Sequence, residues 1–313
     1  MLTTAPTAVP DVTTAETVRH ASYAVVVVHY RNLEDTLGCV ASIRKQAVAG
    51  TQILLIDNAS IDASGTDLAR HFDDSSDVSV LRLQQNLGFG AGCNAGIEQA
   101  LATLPQLRHL LVLTPDARLR VGALGALRSC MQHHPSAGIV GCRIVDHEGA
   151  LSFANGRIPQ WTMASLCIRP PGDRTEHPSG FVSGCCMLLD AEMLRKGVRF
   201  DESFFLYGED ADLCHRVLQR GRSVWVTHAA TVEHRSGGSQ PGRPVLDALT
   251  GDQLYWSTRA RIRLAKKHFG PIRRFFVLVH AAVAGSAANL VRARNGRWIS
   301  PYFRGLLAGL SGR

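Results

Sequence analysis

The chain has 313 residues, 45% hydrophobic and 19% charged, which suits one large globular domain, with or without an appendage, and excludes a low-complexity chain. Its net charge of +8 is lopsided: residues 251–313 carry twelve Lys/Arg against one acid, Asp252, for +11, while the other 250 residues sum to −3. Eight cysteines without a C-x-x-C pair argue against a zinc framework or disulfide scaffold, and for buried reduced thiols.

Residues 1–21 are rich in Thr, Ala and Pro and hold no apolar block, so they read as a loose N-terminal tail. They lack the cationic start and apolar core of a secretory signal. Ala24–Val28 is a short β-branched run and predicts a buried parallel strand. A helix follows over Leu33–Gln46, with Asn32 as its cap. The alternation then repeats: strand Ile53–Ile56 and helix Asp62–His71, strand Val78–Leu83 and helix Gly90–Leu101, strand Leu110–Leu113 and helix Val121–Gln132. Four strand–helix units with short links predict an α/β fold, Rossmann-like, with a mostly parallel central sheet and flanking helices.

The second half changes character. Gly138–Val145, Leu151–Asn155 and Ser223–Thr227 read as strands, Thr231–His234 lies just beyond the last of these, and Glu209–Arg220 reads as a helix. Phe181–Leu189 is apolar with a small Ser183-Gly184 centre. Without βα alternation this half should be an irregular mixed layer that completes a site. The Pro-rich stretch 155–180 reads as a mobile loop over it. Beyond a Pro/Gly break, Leu254–His268 is a basic amphipathic helix, and Phe275–Leu290 is an apolar run of 16 residues, short of the roughly 20 that span a bilayer. Arg292, Arg294, Arg297, Trp298, Tyr302 and Arg304 surround its far end. This basic, partly apolar segment suits either helices on a membrane surface or a helical pair packed on the main domain. Its aromatics sit within apolar runs, not on an exposed stacking platform, so nucleic acid is not the expected partner.

In parallel sheets ligands bind beyond the carboxyl ends of the strands. Here those ends carry Tyr30, Asp57, Asn58, Asn86 and Asp116. Any one of them can simply cap the next helix, but together they mark a site. Asn86–Asn94 is glycine-rich, in a G-x-G-x-G spacing that is not the dinucleotide fingerprint; Gly88 and its neighbours let backbone approach a ligand at a helix N-terminus. Asp116 suits a hard cation, Mg²⁺ or Mn²⁺, and His234 can add a nitrogen ligand. Glu209, Asp210 and Asp212 crowd one helix start, where carboxylates serve either as caps or as a general base.

The ordered segments VVVVHYRN, LLIDNAS, NLGFGAGCNAGI, LVLTPD, FVSGCCMLL, FFLYGEDADLCHR and VEHRSGGS resemble the family 2 glycosyltransferases, inverting enzymes of GT-A fold, over about residues 22–270. Within that family the likeness is to bacterial rhamnosyltransferases of cell-wall and O-antigen assembly. The resemblance implies a catalytic domain over 22–240 and a helical appendage over 241–313. It implies that Tyr30 and Asp57 contact the donor base and ribose, and that Asn58, Asn86, Gly88 and Asn94 line the nucleotide-sugar pocket. Asp116 and His234 would hold the divalent cation, Asp210 would be the catalytic base, and Glu209 stands beside it in the catalytic pair. Two positions depart from the family pattern: Thr114 stands two places before the metal acid, where Asn or Asp is common, and Arg31 follows Tyr30.

The activity implied is transfer of L-rhamnose from dTDP-L-rhamnose to a glycan or polyprenyl-linked glycan, in the cytoplasm or at the inner face of the plasma membrane. The same fold working on a UDP- or GDP-sugar is the alternative. A non-catalytic nucleotide-sugar or nucleic-acid binder would need the acidic cluster to be structural only.

Overall fold

A computed structural model describes residues 22–158, 166–167, 174–235, 251–285 and 299–311. The expected tail over 1–21 and half of the expected loop, residues 159–165 and 168–173, lie outside the described residues, as do Arg292, Arg294, Arg297 and Trp298.

The first half folds as strand and helix in turn: β1 (Tyr23–His29), α1 (Leu33–Arg44), β2 (Thr51–Asp57), α2 (Ser64–His71), β3 (Val78–Arg82), α3 (Phe89–Thr103) and β4 (His109–Leu113). The four strands pair in parallel in the order β3-β2-β1-β4. Val25, Val26 and Val27 of β1 and Leu55 and Ile56 of β2 are fully buried. Each such side chain contributes roughly 1.5–3 kcal/mol by leaving water, which is why the β-branched runs settle at the sheet centre. The order reverses at β1, so a crevice opens between the carboxyl ends of β1 and β4.

The second half is not a separate layer; it extends the same sheet. After β5 (Ala117–Leu119) and α4 (Ala123–His133) come β6 (Ala137–Val145), β7 (Leu151–Phe153), β8 (Gly156–Arg157), β9 (Leu166–Cys167), β10 (Glu176–Pro178), β11 (Cys186–Asp190), α5 (Ala191–Arg195), α6 (Glu209–Gln219) and β12 (Ser223–His234). β11 inserts antiparallel between β4 and β6, and β12 runs parallel to β6. The expected strand at 223–227 and the stretch 231–234 are one strand, with a register shift between Thr227 and Thr231.

The C-terminal helices α7 (Gly251–His268), α8 (Pro271–His280) and α9 (Ile299–Ser311) pack on this body. Ala260, Leu264, Ala265, Phe269 and Val277 join the main core, while Leu254, Ile262, Ala281, Tyr302 and Leu306 form a small second one. The outer faces of α8 and α9 still expose Ile272, Phe275, Phe276, Phe303 and Leu307. Among the described residues, no helix is long and apolar enough to cross a membrane.

Candidate active site

The acidic stretch is delivered by a strained turn. Tyr207 and Gly208 both adopt the left-handed conformation, at φ 64° and 87°. Such a backbone costs a bulky residue on the order of 1–3 kcal/mol and persists only where surrounding contacts fix it. Here α7 fixes it: a methyl on Gly208 would stand 2.9 Å from the Ala260 Cβ. The turn starts α6 abruptly, and its first three carboxylates take three different directions.

Asp210 faces the cleft. Its Oδ2 accepts the Gly184 N–H at 2.9 Å, and its Oδ1 accepts the Ala211 N–H at 2.7 Å. Burial pushes its carboxyl up, and the two backbone donors oppose that by favouring the charged form. Glu209 turns inward and is buried, and its Oε2 has no hydrogen-bond partner. Burial first, then the adjacent Asp210 charge, push it well above the usual carboxylate range. Burial thus disfavours charge on both carboxyls, but only Asp210 has backbone donors from other residues, Gly184 and Ala211, that oppose it.

Asp212 is neither cap nor catalyst. It is fully buried in an ion network, with Arg216 Nε at 2.7 Å, Lys267 Nζ at 2.7 Å and His268 Nε2 at 2.7 Å. Burial works against its charge, but the His268 hydrogen bond and the Arg216 and Lys267 cations win and hold it at about 2. Asp212 thereby ties α6 to α7.

Asp116 and His234 come together from distant segments. β5 pairs with β12 in a register that sets His234 opposite Ala117, and this brings His234 Nε2 to 3.1 Å from Asp116 Oδ1. Cis ligands at roughly 2.1 Å from an octahedral cation lie about 3 Å apart, so this oxygen–nitrogen pair fits a divalent cation without rearrangement. Thr114 does not extend the set: its hydroxyl lies 3.6 Å from the Cys185 sulfur. Asp35, on α1, pairs with two guanidinium groups, Arg118 at 3.4 Å and Arg235 at 3.2 Å.

These residues share one cleft of about 420 Å³, lined by Asn32, Asp35, Thr114, Asp116, Gly184, Tyr207, Glu209, Asp210, His234 and Gln253 among others. Tyr30 and Asp57 are not part of that lining. Tyr30 is 39% exposed at the end of β1, and Asp57 is fully buried, accepting from Ser60 N–H and Arg82 Nε at 3.0 Å each. Asn58, Asn86 and Gly88 form a hydrogen-bonded knot: Asn58 Nδ2 donates to Asn86 Oδ1 at 2.9 Å and to Gly88 O at 3.2 Å. Gly88, at φ 90°, lets Phe89 N–H reach Phe205 O at 3.0 Å, so the glycine loop holds the acidic turn in place. Asn94 works in the same cause from further along α3, clamping Phe200 O and Glu202 with its amide. Sequence reasoning did not single out Gly184 as a backbone donor, Gln253, or Asp35 with its two arginines. The small Ser183-Gly184 pair was the one visible hint.

A family model described as glycosyl transferase family 2 matches residues 24–198. The chain is 27% identical over 222 residues to an N-acetylglucosaminyl-diphospho-decaprenol L-rhamnosyltransferase of Mycobacterium tuberculosis, covering 63% of this chain and 71% of that one. It is 25% identical over 205 residues to the low-salt glycan biosynthesis hexosyltransferase Agl10 of Haloferax volcanii, covering 64% and 63%. Its fold is similar to that of GalNAc-T7 solved with UDP, GalNAc and Mn²⁺, at TM-score 0.65 and 14% identity over 94% of this chain and 58% of that one. It is also similar to mannosyltransferase PcManGT from Pyrobaculum calidifontis, solved with GDP-Man and Mn²⁺, at TM-score 0.57 and 13% identity over 93% and 86%. At such identities the likeness to these structures is one of fold, the GT-A arrangement. With more than half its length inside the family model, the chain belongs to glycosyl transferase family 2 and is a glycosyltransferase.

Proposed function

We propose that the protein transfers L-rhamnose from dTDP-L-rhamnose, with inversion, to a glycan carried on a polyprenyl diphosphate. The observation that carries this reading is the convergence of Asp210 with the Asp116–His234 pair on one cleft at the carboxyl ends of the strands. Asp210 accepts the proton of the acceptor hydroxyl as that oxygen attacks the anomeric carbon. The bond to the nucleotide diphosphate breaks in the same in-line step, which inverts the sugar. Gly184 and Ala211 N–H groups hold the Asp210 carboxylate in position. Asp116 and His234 would hold Mg²⁺ or Mn²⁺, and such an ion supplies charge neutralisation at the diphosphate. In this reading Asn58, Asn86 and Gly88 shape the donor pocket, Asn94 braces it through α3, and Tyr30 and Asp57 stand on the base and ribose side.

The acceptor class rests on the named substrate of the mycobacterial relative and on the C-terminal helices. Phe275 and Phe276 are exposed on α8 in a segment rich in arginine, as suits a helix lying on an anionic leaflet. The protein therefore works at the cytoplasmic face of the membrane, its body in water.

The test is a donor screen following nucleotide release across dTDP-, UDP- and GDP-sugars with a polyprenyl-diphosphate glycan acceptor. Release confined to dTDP-rhamnose is the expected outcome. Turnover with a UDP- or GDP-sugar alone would transfer the proposal to that donor. For the membrane contact, paired Phe275→Asp and Phe276→Asp should cut sedimentation with anionic liposomes, and unaltered sedimentation counts against it.

A further inference from the structure

A second cluster lies at the other end of the sheet. Cys130 lies in the last turn of α4 and His134 is the residue that ends that helix, and Glu176 of β10 faces them. One thiol, one imidazole and one carboxylate there offer ligand atoms that all lie within 4.8 Å of one another. Glu176 already gathers two imidazoles: His134 Nε2 at 2.9 Å on one oxygen and His133 Nδ1 at 3.1 Å on the other. The His134 ring is itself fixed, stacked on Trp225 at 3.4 Å between centroids and 9° between planes. A cleft of about 430 Å³ lined by His134, Glu176 and Trp225 gives entry from solvent.

This cluster is remote from the cleft that holds Asp116. On the neighbouring β6, Val140 pairs with Trp225 and Val145 with Glu233, so at roughly 3.3 Å per residue the two sites lie about 15–20 Å apart. Nothing in the transfer reaction uses it.

We propose that Cys130, His134 and Glu176 form a binding site for a divalent transition metal, Zn²⁺ by ligand chemistry. Thiolate with imidazole and carboxylate is the donor set that selects zinc over Mg²⁺ or Ca²⁺. Binding releases the Cys130 proton to solvent, so thiolate and carboxylate balance the two charges of the ion and leave a neutral half-buried site. Ligands at about 2.0–2.3 Å from zinc require the three atoms to draw in by about 1 Å, within the reach of side-chain rotation. The site pins the edge strand β10 to α4. The absence of a C-x-x-C pair hides it from the sequence, because its ligands come from one helix turn and a strand more than forty residues away.

Co²⁺ titrated into the full-length protein provides the test, since thiolate coordination gives a charge-transfer absorption that an oxygen and nitrogen site lacks. One equivalent should produce that absorption, and Zn²⁺ should abolish it by displacement. Cys130→Ser should eliminate the band, His134→Ala should weaken Co²⁺ binding about tenfold or more, and Asp116→Asn should leave the band intact. Thermal denaturation guards against misfolded variants: Zn²⁺ should raise the melting temperature of the wild type and not that of Cys130→Ser. A wild-type protein that shows no thiolate band, or a band that survives Cys130→Ser, overturns the proposal.

Discussion

At the residue scale, three successive acids divide into three jobs because their surroundings differ. Asp210 keeps two backbone donors and a view of the cleft; Glu209 is buried without a partner for Oε2; Asp212 is fully paired. Glu209 gives a testable sign. Its folded-state proton affinity is raised, so the folded state binds a proton the unfolded state has lost above the ordinary value of 4.5. The wild type therefore loses stability as pH rises above that value, while Glu209→Gln does not. The melting-temperature advantage of Glu209→Gln over wild type should grow from pH 4.5 to pH 8. A constant difference across that range would mean that Glu209 is already ionised in the fold.

At the scale of elements, the glycine loop and the acidic turn are one device. A Cβ on Gly88 would meet the Phe205 carbonyl oxygen at 2.2 Å, and that oxygen belongs to backbone already bonded to Phe89 N–H. Gly88→Ala should cost about 1–3 kcal/mol in urea denaturation, from the left-handed φ and the clash together. It should also lower turnover, since the displaced turn carries Asp210. A variant with full stability and full turnover would show that the two loops are not coupled.

The elements legible in the sequence are those whose signal is local. The β-branched runs of β1 and β2 and the short links between strand and helix identify the parallel half and its strand ends without any distant partner. What escaped depends on contacts between remote segments. β11 finds its place only by inserting between β4 and β6, and three-residue β5 exists because β12 pairs with it. The same holds for the site. Asp116, His234 and Asp210 were visible as acids and a histidine at telling positions. Gly184 was not, because a backbone N–H carries no residue signature, and two of the three partners of Asp212, Lys267 and His268, lie more than fifty residues beyond it.

On the scale of the whole molecule, helix α7 of the basic C-terminal segment packs directly on the elements that carry the cleft. The Asp212 network holds α7 against α6, and α7 in turn packs Ala260 on Gly208 and brings Gln253 to the cleft beside Tyr207. Asp212 sits at about 2 when folded, below the ordinary 3.8. Its contribution is therefore fully present above pH 4 and is lost as pH falls towards 2, for about 2 kcal/mol at roughly 1.4 kcal/mol per unit. Asp212→Asn, which leaves Arg216 and Lys267 without their buried anion, should destabilise by roughly 3–5 kcal/mol at neutral pH. It should also flatten the stability profile between pH 4 and pH 2. An Asp212→Asn profile that still falls as steeply as wild type over that window would assign acid lability to other groups.

The proposed transfer needs a single proton acceptor, Asp210, at the start of α6. Its most direct test is the turnover of Asp210→Asn, measured as nucleotide released in the presence of acceptor, alongside the affinity of the same variant for donor. Loss of a positioned general base should lower turnover by about 10²–10⁴-fold while donor affinity stays within a few fold of wild type. Turnover at the wild-type rate, or a loss explained wholly by failed donor binding, would contradict the assignment of Asp210 as the base.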